Sequence, residues 1–117
     1  MDKNKNSILS VDKQHYAQLM AQNLPVLRTC LNLSQSELAE VIGVTRQTLS
    51  AAESGARELS WGNFISLLYV FTQNRKTVPL LETLGIYTEE LRSLFQVTEL
   101  PDMGTKNTNT KKAGETR

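Results

Sequence analysis

The sequence predicts an all-α fold in which short helices pack around one modest core. Apolar residues recur at steps of three and four along most of the chain, and no run alternates between apolar and polar residues as a half-buried strand does. Serine or threonine precedes several of these runs and glycine follows them, as is typical of helix ends. The 117 residues are 39% apolar but only 6% aromatic, which favours a core of Leu, Val, Ile and Ala.

The first predicted helix has an apolar face at helical spacing. The face consists of Tyr16, Met20, Leu24, Leu27 and Leu31. Ser10 is placed to cap the start of this helix. Because proline lacks an N–H group and clashes with the preceding turn, we expect Pro25 to kink the helix or to force a restart.

Two short helices follow, joined by a tight turn. Ser34 and Glu37 form a capping box before the first of them, and Gly43 ends it. Thr45 is placed to cap the second helix, which Gly55 ends.

These two helices meet the packing demands of a helix-turn-helix. Helices that cross at roughly a right angle need a very small side chain at the contact, and Ala39 supplies one. Gly43 tolerates the backbone angles of the turn. The second helix is expected to be anchored inward by Val44, Leu49 and Ala52.

Further helices are predicted after residue 60. Ser60 is a candidate cap for a helix that carries an apolar set of Trp61, Phe64, Ile65, Leu67, Leu68 and Phe71. Pro79 suits the first turn of another helix, and Thr88 can start a last one. The apolar residues after Val78 exceed what the preceding segment needs, so some are expected to complete the core and some to form a contact between subunits.

Several stretches between Leu24 and Phe71 match the pattern of one known family of regulators. The matching residues are Leu27-Arg28, Leu33-Ser-Gln-x-Glu-Leu-Ala39, Gly43-Val-Thr-Arg-Gln-Thr-Leu49, Glu53-x-Gly55 and Ser60. The segment therefore closely resembles the Cro/cI family of helix-turn-helix regulators, also called the XRE family. The resemblance implies a lambda-repressor-like domain of five helices, here with an additional C-terminal helix.

The expected organisation has four parts. Residues 1–9 and 102–117 are polar, and we expect them to be a disordered arm and a disordered tail. Residues 10–72 are expected to form the DNA-binding domain. Residues 73–101 are expected to be helices that complete the core and are candidates for dimerisation.

The resemblance also implies roles for individual residues. Base reading is assigned to the exposed positions of the second short helix, which are Thr45, Arg46, Gln47 and Ser50. Arginine can bind guanine and glutamine can bind adenine, each with two hydrogen bonds. Phosphate contact and positioning are assigned to Gln35, Thr48, Arg57 and Asn63, and Gln35 is also expected to brace the first residues of the second short helix, which is the recognition helix of the family. The alternative for the base-reading set is an ordinary solvated helix face.

Arg28 and Glu53 match a family pair that ties the first helix to the end of the recognition helix. Both would then be structural, the alternative being a DNA contact by Arg28. Residues 24–71 contain three arginines and four glutamates, a net charge of −1 that is unfavourable for DNA. We therefore expect a weak, salt-sensitive monomer and a homodimer that binds half-sites about 34 Å apart.

Other classes of function find little support in the sequence. No nucleophile, base and orienting group stand at suggestive spacing, so an enzyme is not expected. Cys30 and His15 are each the only residue of their type, and neither a metal nor a cofactor is predicted. The sequence favours a cytoplasmic repressor that binds double-stranded DNA, without membrane association or a predictable small-molecule effector. The alternative is an antitoxin or adaptor that binds protein through the segment after Val78.

Overall fold

A computed structural model describes residues 11–97 of the chain. In this range it contains α-helices and no strand. The helices are α1 (Lys13–Cys30), α2 (Gln35–Ile42), α3 (Arg46–Ser54), α4 (Trp61–Thr72), α5 (Val78–Thr83) and α6 (Glu89–Phe95). The predicted all-α class is confirmed. The predicted arm at residues 1–9 and tail at residues 102–117 lie outside the described residues.

Contacts divide the described chain into two units. One spans residues 12–88 and contains α1 to α5, whereas Val11 and α6 belong to the other. Within α6, Arg92 forms an ion pair with Glu89 at 3.1 Å. The domain boundaries expected from the sequence stay predictions. Among residues 11–97, none of the helices has both the length and the hydropathy needed to cross a membrane.

The start of α1 differs from the expectation. Asp12, and not Ser10, caps the helix, because the Asp12 carboxylate accepts a hydrogen bond from the backbone N–H of His15 at 3.0 Å. Ser10 lies outside the described residues. Both side chains are good N-caps, and the sequence alone did not distinguish them.

Helix α1 continues through Pro25 without a restart, so of the two outcomes expected at this proline the kink stays a prediction. Met20, Leu24 and Leu27 are fully buried on both sides of the proline. Their burial stabilises the helical conformation by an amount comparable to the roughly 3 kcal/mol that an internal proline costs. The side chain of Asn23 also donates to the carbonyl of Leu19 at 2.9 Å.

The ends of α2 and α3 follow the predicted capping chemistry. The Ser34 hydroxyl accepts from the backbone N–H of Glu37 at 3.0 Å, and the Glu37 carboxylate accepts from the backbone N–H of Ser34 at 2.9 Å. Gly43 ends α2 at a φ of +80° and Gly55 ends α3 at a φ of +82°. Both values lie in the left-handed region, where a side chain is strained. The predicted turn between the two helices is confirmed.

The core of residues 12–88 lies where α3 packs against α1 and α2 and where α4 packs against α1, α2 and α5. Its fully buried apolar side chains are Met20, Leu24, Leu27, Leu38, Leu49, Phe64, Leu67, Phe71, Leu81 and Ile86. Ala39, Leu49 and Ala52 are buried as predicted, whereas Val44 is half-buried. Helix α3 is therefore anchored mainly through Leu49 and Ala52.

The connection from α4 to α5 contains a buried hydroxyl group. Thr77 is fully buried, and its hydroxyl lies 2.6 Å from the carbonyl oxygen of Phe71 and 3.1 Å from that of Asn74. Donation to these carbonyls satisfies polar groups that would otherwise be costly to bury. Pro79 lies in the first turn of α5, as predicted.

Candidate nucleic-acid interface

The start of α3 is exposed and capped by its own threonines. The Thr45 hydroxyl accepts from the backbone N–H of Thr48 at 3.1 Å, and the two hydroxyl oxygens lie 2.9 Å apart. Thr45, Arg46, Gln47 and Thr48 are all exposed. A capped helix start also carries backbone N–H groups and the positive end of the helix dipole, which favour an anionic ligand such as a phosphate.

The four residues assigned to base reading differ in their surroundings. Gln47 makes no side-chain hydrogen bond within residues 11–97, so its amide is available to a partner. Arg46 is exposed but donates to a neighbouring side chain, and Thr45 is engaged in the cap. Ser50 is half-buried, which makes it less accessible than the other three. Arg46 and Gln47 are therefore the most prominent side chains of this edge.

Arg28 and Glu53 form an ion pair between α1 and α3. Nε of Arg28 donates to Oε2 of Glu53 at 2.7 Å, and Nη2 donates to Oε1 at 3.0 Å. The side chains are only 17% and 7% exposed, so the pair is largely removed from water. Nη1 of Arg28 also donates to the carbonyl of Leu33 at 3.0 Å. The guanidinium group thus connects α1, the loop before α2 and the end of α3.

The pair shifts the pKa of both groups. The hydrogen bond to Glu53 raises the pKa of Arg28 and outweighs the opposing effect of burial. Burial by itself raises the pKa of Glu53, but hydrogen bonds from Arg28 and Gln35 and the charge of Arg28 together hold that pKa below its ordinary value. Both groups are therefore stabilised in their charged forms.

Gln35 connects this pair to Arg46, at the start of α3. Its Nε2 donates to Oε1 of Glu53 at 2.9 Å, and its Oε1 accepts from Nη1 of Arg46 at 3.2 Å. Four predicted site residues, which are Arg28, Glu53, Gln35 and Arg46, are thus joined by hydrogen bonds. The resemblance implied that Gln35 braces the first residues of α3, but the hydrogen bond from Gln35 to Glu53 was not foreseen from the sequence.

A signal for these links is present in the helical spacing. Gln35 lies four residues before the buried Ala39, and Glu53 lies four residues after the buried Leu49. Each polar residue is therefore one helical turn from the contact between α2 and α3. Two polar side chains at such positions favour a hydrogen bond between them.

Within residues 11–97 the side chains of Arg57 and Asn63 make no hydrogen bond to α3, although the backbone N–H of Arg57 donates to the carbonyl of Ala51 in α3 at 3.2 Å. Arg57 is exposed in the loop between α3 and α4, where it lines a cleft of about 580 Å³ together with residues of α1, including Lys13 and Gln18. Asn63 is half-buried in the first turn of α4, and its backbone N–H donates to the Ser60 hydroxyl at 3.1 Å. Both residues follow α3 in the chain, beside the start of α4.

Trp61 and Cys30 are both partly shielded from solvent. Trp61 is half-buried and stacks on Phe64 at 4.7 Å between ring centroids, and the ammonium group of Lys13 lies 5.6 Å from its ring. Trp61 therefore packs against neighbouring side chains of α1 and α4. Cys30 is half-buried.

Comparison with known proteins agrees with this geometry. A family model described as Helix-turn-helix matches residues 27–68, which include most of α4 and all of α2 and α3. No curated protein and no solved structure matches the chain significantly. The matched family consists of DNA-binding regulatory domains. Residues 27–68 are therefore a DNA-binding helix-turn-helix domain of the Cro/cI (XRE) type.

Proposed function

We propose that the protein is a sequence-specific transcriptional repressor that binds a palindromic operator as a homodimer and needs no cofactor. The observation that carries the proposal is the exposed start of α3, where Arg46 and Gln47 project from a helix whose other side is buried through Leu49 and Ala52. A dimer bound to an operator within a promoter would exclude RNA polymerase sterically. The place of action is the cytoplasm, with a bacterial or mobile-element promoter as the target.

The contacts divide into two groups in this proposal. Thr45, Arg46, Gln47 and Ser50 face base edges in the major groove, with Arg46 suited to guanine and Gln47 to adenine. Gln35, Thr48, Arg57 and Asn63 contact or position the phosphate backbone. Phosphate contacts provide affinity without sequence information, whereas base contacts provide specificity.

This division predicts different effects for two glutamine-to-alanine variants. Gln47→Ala is expected to relax the base preference at one position of each half-site, with a loss of about 1–3 kcal/mol on the best sequence only. Gln35→Ala is expected to weaken binding to all sequences more evenly. Both are measured by selecting bound sites from a random DNA library and by titrating the best and the mismatched sites at fixed salt. Equal losses on every sequence for both variants would contradict the assignment.

A homodimer is supported by charge and by an exposed helix face. The helix-turn-helix segment has a net charge of −1, so one copy has few cations with which to hold DNA. Ile65 and Tyr69 lie one turn apart on α4, and both are exposed. None of the residues of α4 is charged. A two-fold contact brings identical surfaces together, so an uncharged apolar face is compatible with a second copy whereas a charged one repels it.

Replacing Tyr69 by lysine tests this interface. Tyr69 is 66% exposed, so Tyr69→Lys is expected to leave the fold intact but to bring two positive charges together at the axis and shift the protein to monomers. The matched control is Val26→Lys on α1, which is 53% exposed and lies on another helix. Molar mass is measured by light scattering over a range of concentrations. An unchanged dimer in Tyr69→Lys, or dissociation by Val26→Lys alone, would place the interface elsewhere.

A second candidate is an antitoxin or adaptor that uses the fold to bind protein, and the acidic balance of residues 24–71 favours it. Incubating the protein with random genomic fragments at low salt distinguishes the two. The repressor is expected to retain DNA and to enrich a palindrome, whereas the adaptor is expected to do neither.

A further inference from the structure

We propose that Glu53 is a positioning residue for base recognition, and that it acts on Arg46 through Gln35. This inference rests on the proposed function, because it concerns how the recognition helix distinguishes bases. It assigns to Glu53 a role beyond its ion pair with Arg28. In this role Glu53 fixes which end of the Gln35 amide faces Arg46.

The geometry provides a continuous path over three side chains. Oε1 of Glu53 accepts from Nε2 of Gln35 at 2.9 Å, and Oε1 of Gln35 accepts from Nη1 of Arg46 at 3.2 Å. Glu53 is itself held by two hydrogen bonds from Arg28 and is only 7% exposed. The path therefore starts at a rigid, largely buried carboxylate and ends at an exposed side chain of α3.

The donor and acceptor properties of the three groups fix the orientation of the Gln35 amide. An ionised carboxylate only accepts hydrogen bonds, so Glu53 requires the NH₂ group of Gln35 to face it. The carbonyl oxygen of Gln35 must then face the other way, toward Arg46 at the start of α3. A guanidinium group only donates, and it meets an acceptor there. Arg28 and Gln35 stabilise the negative charge on Glu53. Because of this charge, Gln35 presents a hydrogen-bond acceptor to Arg46.

The hydrogen bond to Gln35 restricts the motion of the Arg46 guanidinium group. One of its five N–H donors is occupied by Gln35, and the remaining donors of the planar group are left for a base edge. If the Gln35 amide turned over, its NH₂ group would face the N–H groups of Arg46, and the contact would be lost. Arg46 would then have to be ordered on binding, which weakens its ability to discriminate between bases.

Glu53→Gln removes the directional constraint while keeping the size of the side chain. The amide introduced at position 53 has both a donor and an acceptor, so it can pair with either end of the Gln35 amide. The double variant Glu53→Gln/Gln35→Glu reverses the donor and the acceptor of the first link. The amide at position 53 then donates to a carboxylate at position 35, which again presents only acceptors to Arg46. The double variant also conserves the net charge of the wild-type chain.

The first experiment needs no DNA. Side-chain nitrogen NMR measures the mobility of the Arg46 guanidinium group, with the exposed Arg57, which makes no side-chain hydrogen bond within residues 11–97, as an internal reference. Arg46 is expected to be more ordered than Arg57 in the wild type, to become as mobile as Arg57 in Glu53→Gln, and to be ordered again in the double variant. Equal mobility of Arg46 and Arg57 in the wild type would overturn the inference.

The second experiment measures base preference by selection from a random DNA library, with each variant at a temperature where circular dichroism shows it folded. Glu53→Gln is expected to lose about tenfold of the discrimination at the position read by Arg46 and to keep the preference set by Gln47. The double variant is expected to restore that discrimination, although its total affinity falls because a carboxylate is placed near phosphate. A uniform loss at all positions, or no restoration by the double variant, would overturn the inference.

If Glu53→Gln does not fold, Gln35→Met provides the same test. Methionine removes both ends of the amide and leaves the pair of Arg28 and Glu53 intact. Like Gln35→Ala, it is expected to lower the affinity for all sequences because a phosphate contact is lost. In addition, the ratio of affinities for different bases at the position read by Arg46 is expected to fall as in Glu53→Gln, while the ratio at the position read by Gln47 stays unchanged. Different results would refute the proposed function and the positioning role of Glu53. A wild-type protein that retains no DNA refutes the proposed function even if Arg46 is ordered, whereas a mobile Arg46 in a protein that binds its operator refutes only the positioning role.

Discussion

Glu53→Ala is expected to lower the free energy of unfolding by about 3 kcal/mol. The substitution removes two hydrogen bonds and the counter-charge from an arginine that is only 17% exposed. Arg28 cannot easily reach water, because α3 and the Leu33 carbonyl hold its guanidinium group in place. Urea unfolding followed by circular dichroism measures the loss.

Two variants serve as controls for this prediction. Glu89→Ala breaks another Arg–Glu pair, but Glu89 is 81% exposed, and a loss of at most about 0.5 kcal/mol is expected. The double variant Arg28→Met/Glu53→Leu removes both buried charges and is expected to be more stable than Glu53→Ala. Equal losses from Glu53→Ala and Glu89→Ala would show that burial of the pair contributes little.

The same pair predicts a pH dependence with a defined sign. The pKa of Glu53 in the folded protein is held below its ordinary value of 4.5, so the carboxylate stabilises the fold at pH values above 4.5. This contribution is lost as the pH falls below 4.5 and through the lowered pKa of the folded state. The stability difference between the wild type and Glu53→Gln is therefore expected to be constant near neutral pH and to shrink in acid. Because the other carboxylates titrate in both proteins, their effects cancel in the comparison.

Phe64→Ala is expected to cost about 3–5 kcal/mol of unfolding free energy. Phe64 is fully buried in α4, where its ring stacks on Trp61 and lies 6.3 Å from the ring of Tyr16 on α1. Alanine leaves a cavity at the contact of α1 with α4, and close-packed neighbours fill such a cavity only in part. Thermal and urea unfolding measure the change.

Phe64→Leu is the matched variant, because it keeps an apolar side chain of intermediate size at the same position. A smaller loss than that of Phe64→Ala is expected, since the remaining cavity is smaller. If the two variants lost the same amount, the cost would come from the aromatic contacts and not from the volume. A loss below about 1 kcal/mol for Phe64→Ala would mean that the core closes around the gap.

Local chemistry explains the parts of the fold that were predictable. The capping box of Ser34 and Glu37 and the left-handed Gly43 and Gly55 depend on residues at most three positions apart, or on one residue alone. Such interactions form wherever the sequence places them, so the ends of α2 and α3 were correct. Helical spacing likewise identified Leu49 and Ala52 as the buried face of α3.

The structure differs from the sequence expectations where local preferences compete with packing. Pro25 disfavours a continuous helix locally, but burial of Met20, Leu24 and Leu27 keeps α1 unbroken. Ser50 was expected on the exposed edge of α3 and is half-buried. How far a helix turns its polar edge toward solvent depends on the neighbours it packs against, and helical spacing alone does not contain this information.

The sequence by itself determined where the helices of the helix-turn-helix begin and end and which residue types its recognition helix carries. Only the tertiary structure decided that Gln35 lies between Glu53 and Arg46, which are 18 and 11 residues away along the chain. Caps and periodicity arise within one or two helical turns. A hydrogen bond between helices requires their crossing to bring two side chains within about 3 Å, and that distance is set by the packing of the whole core.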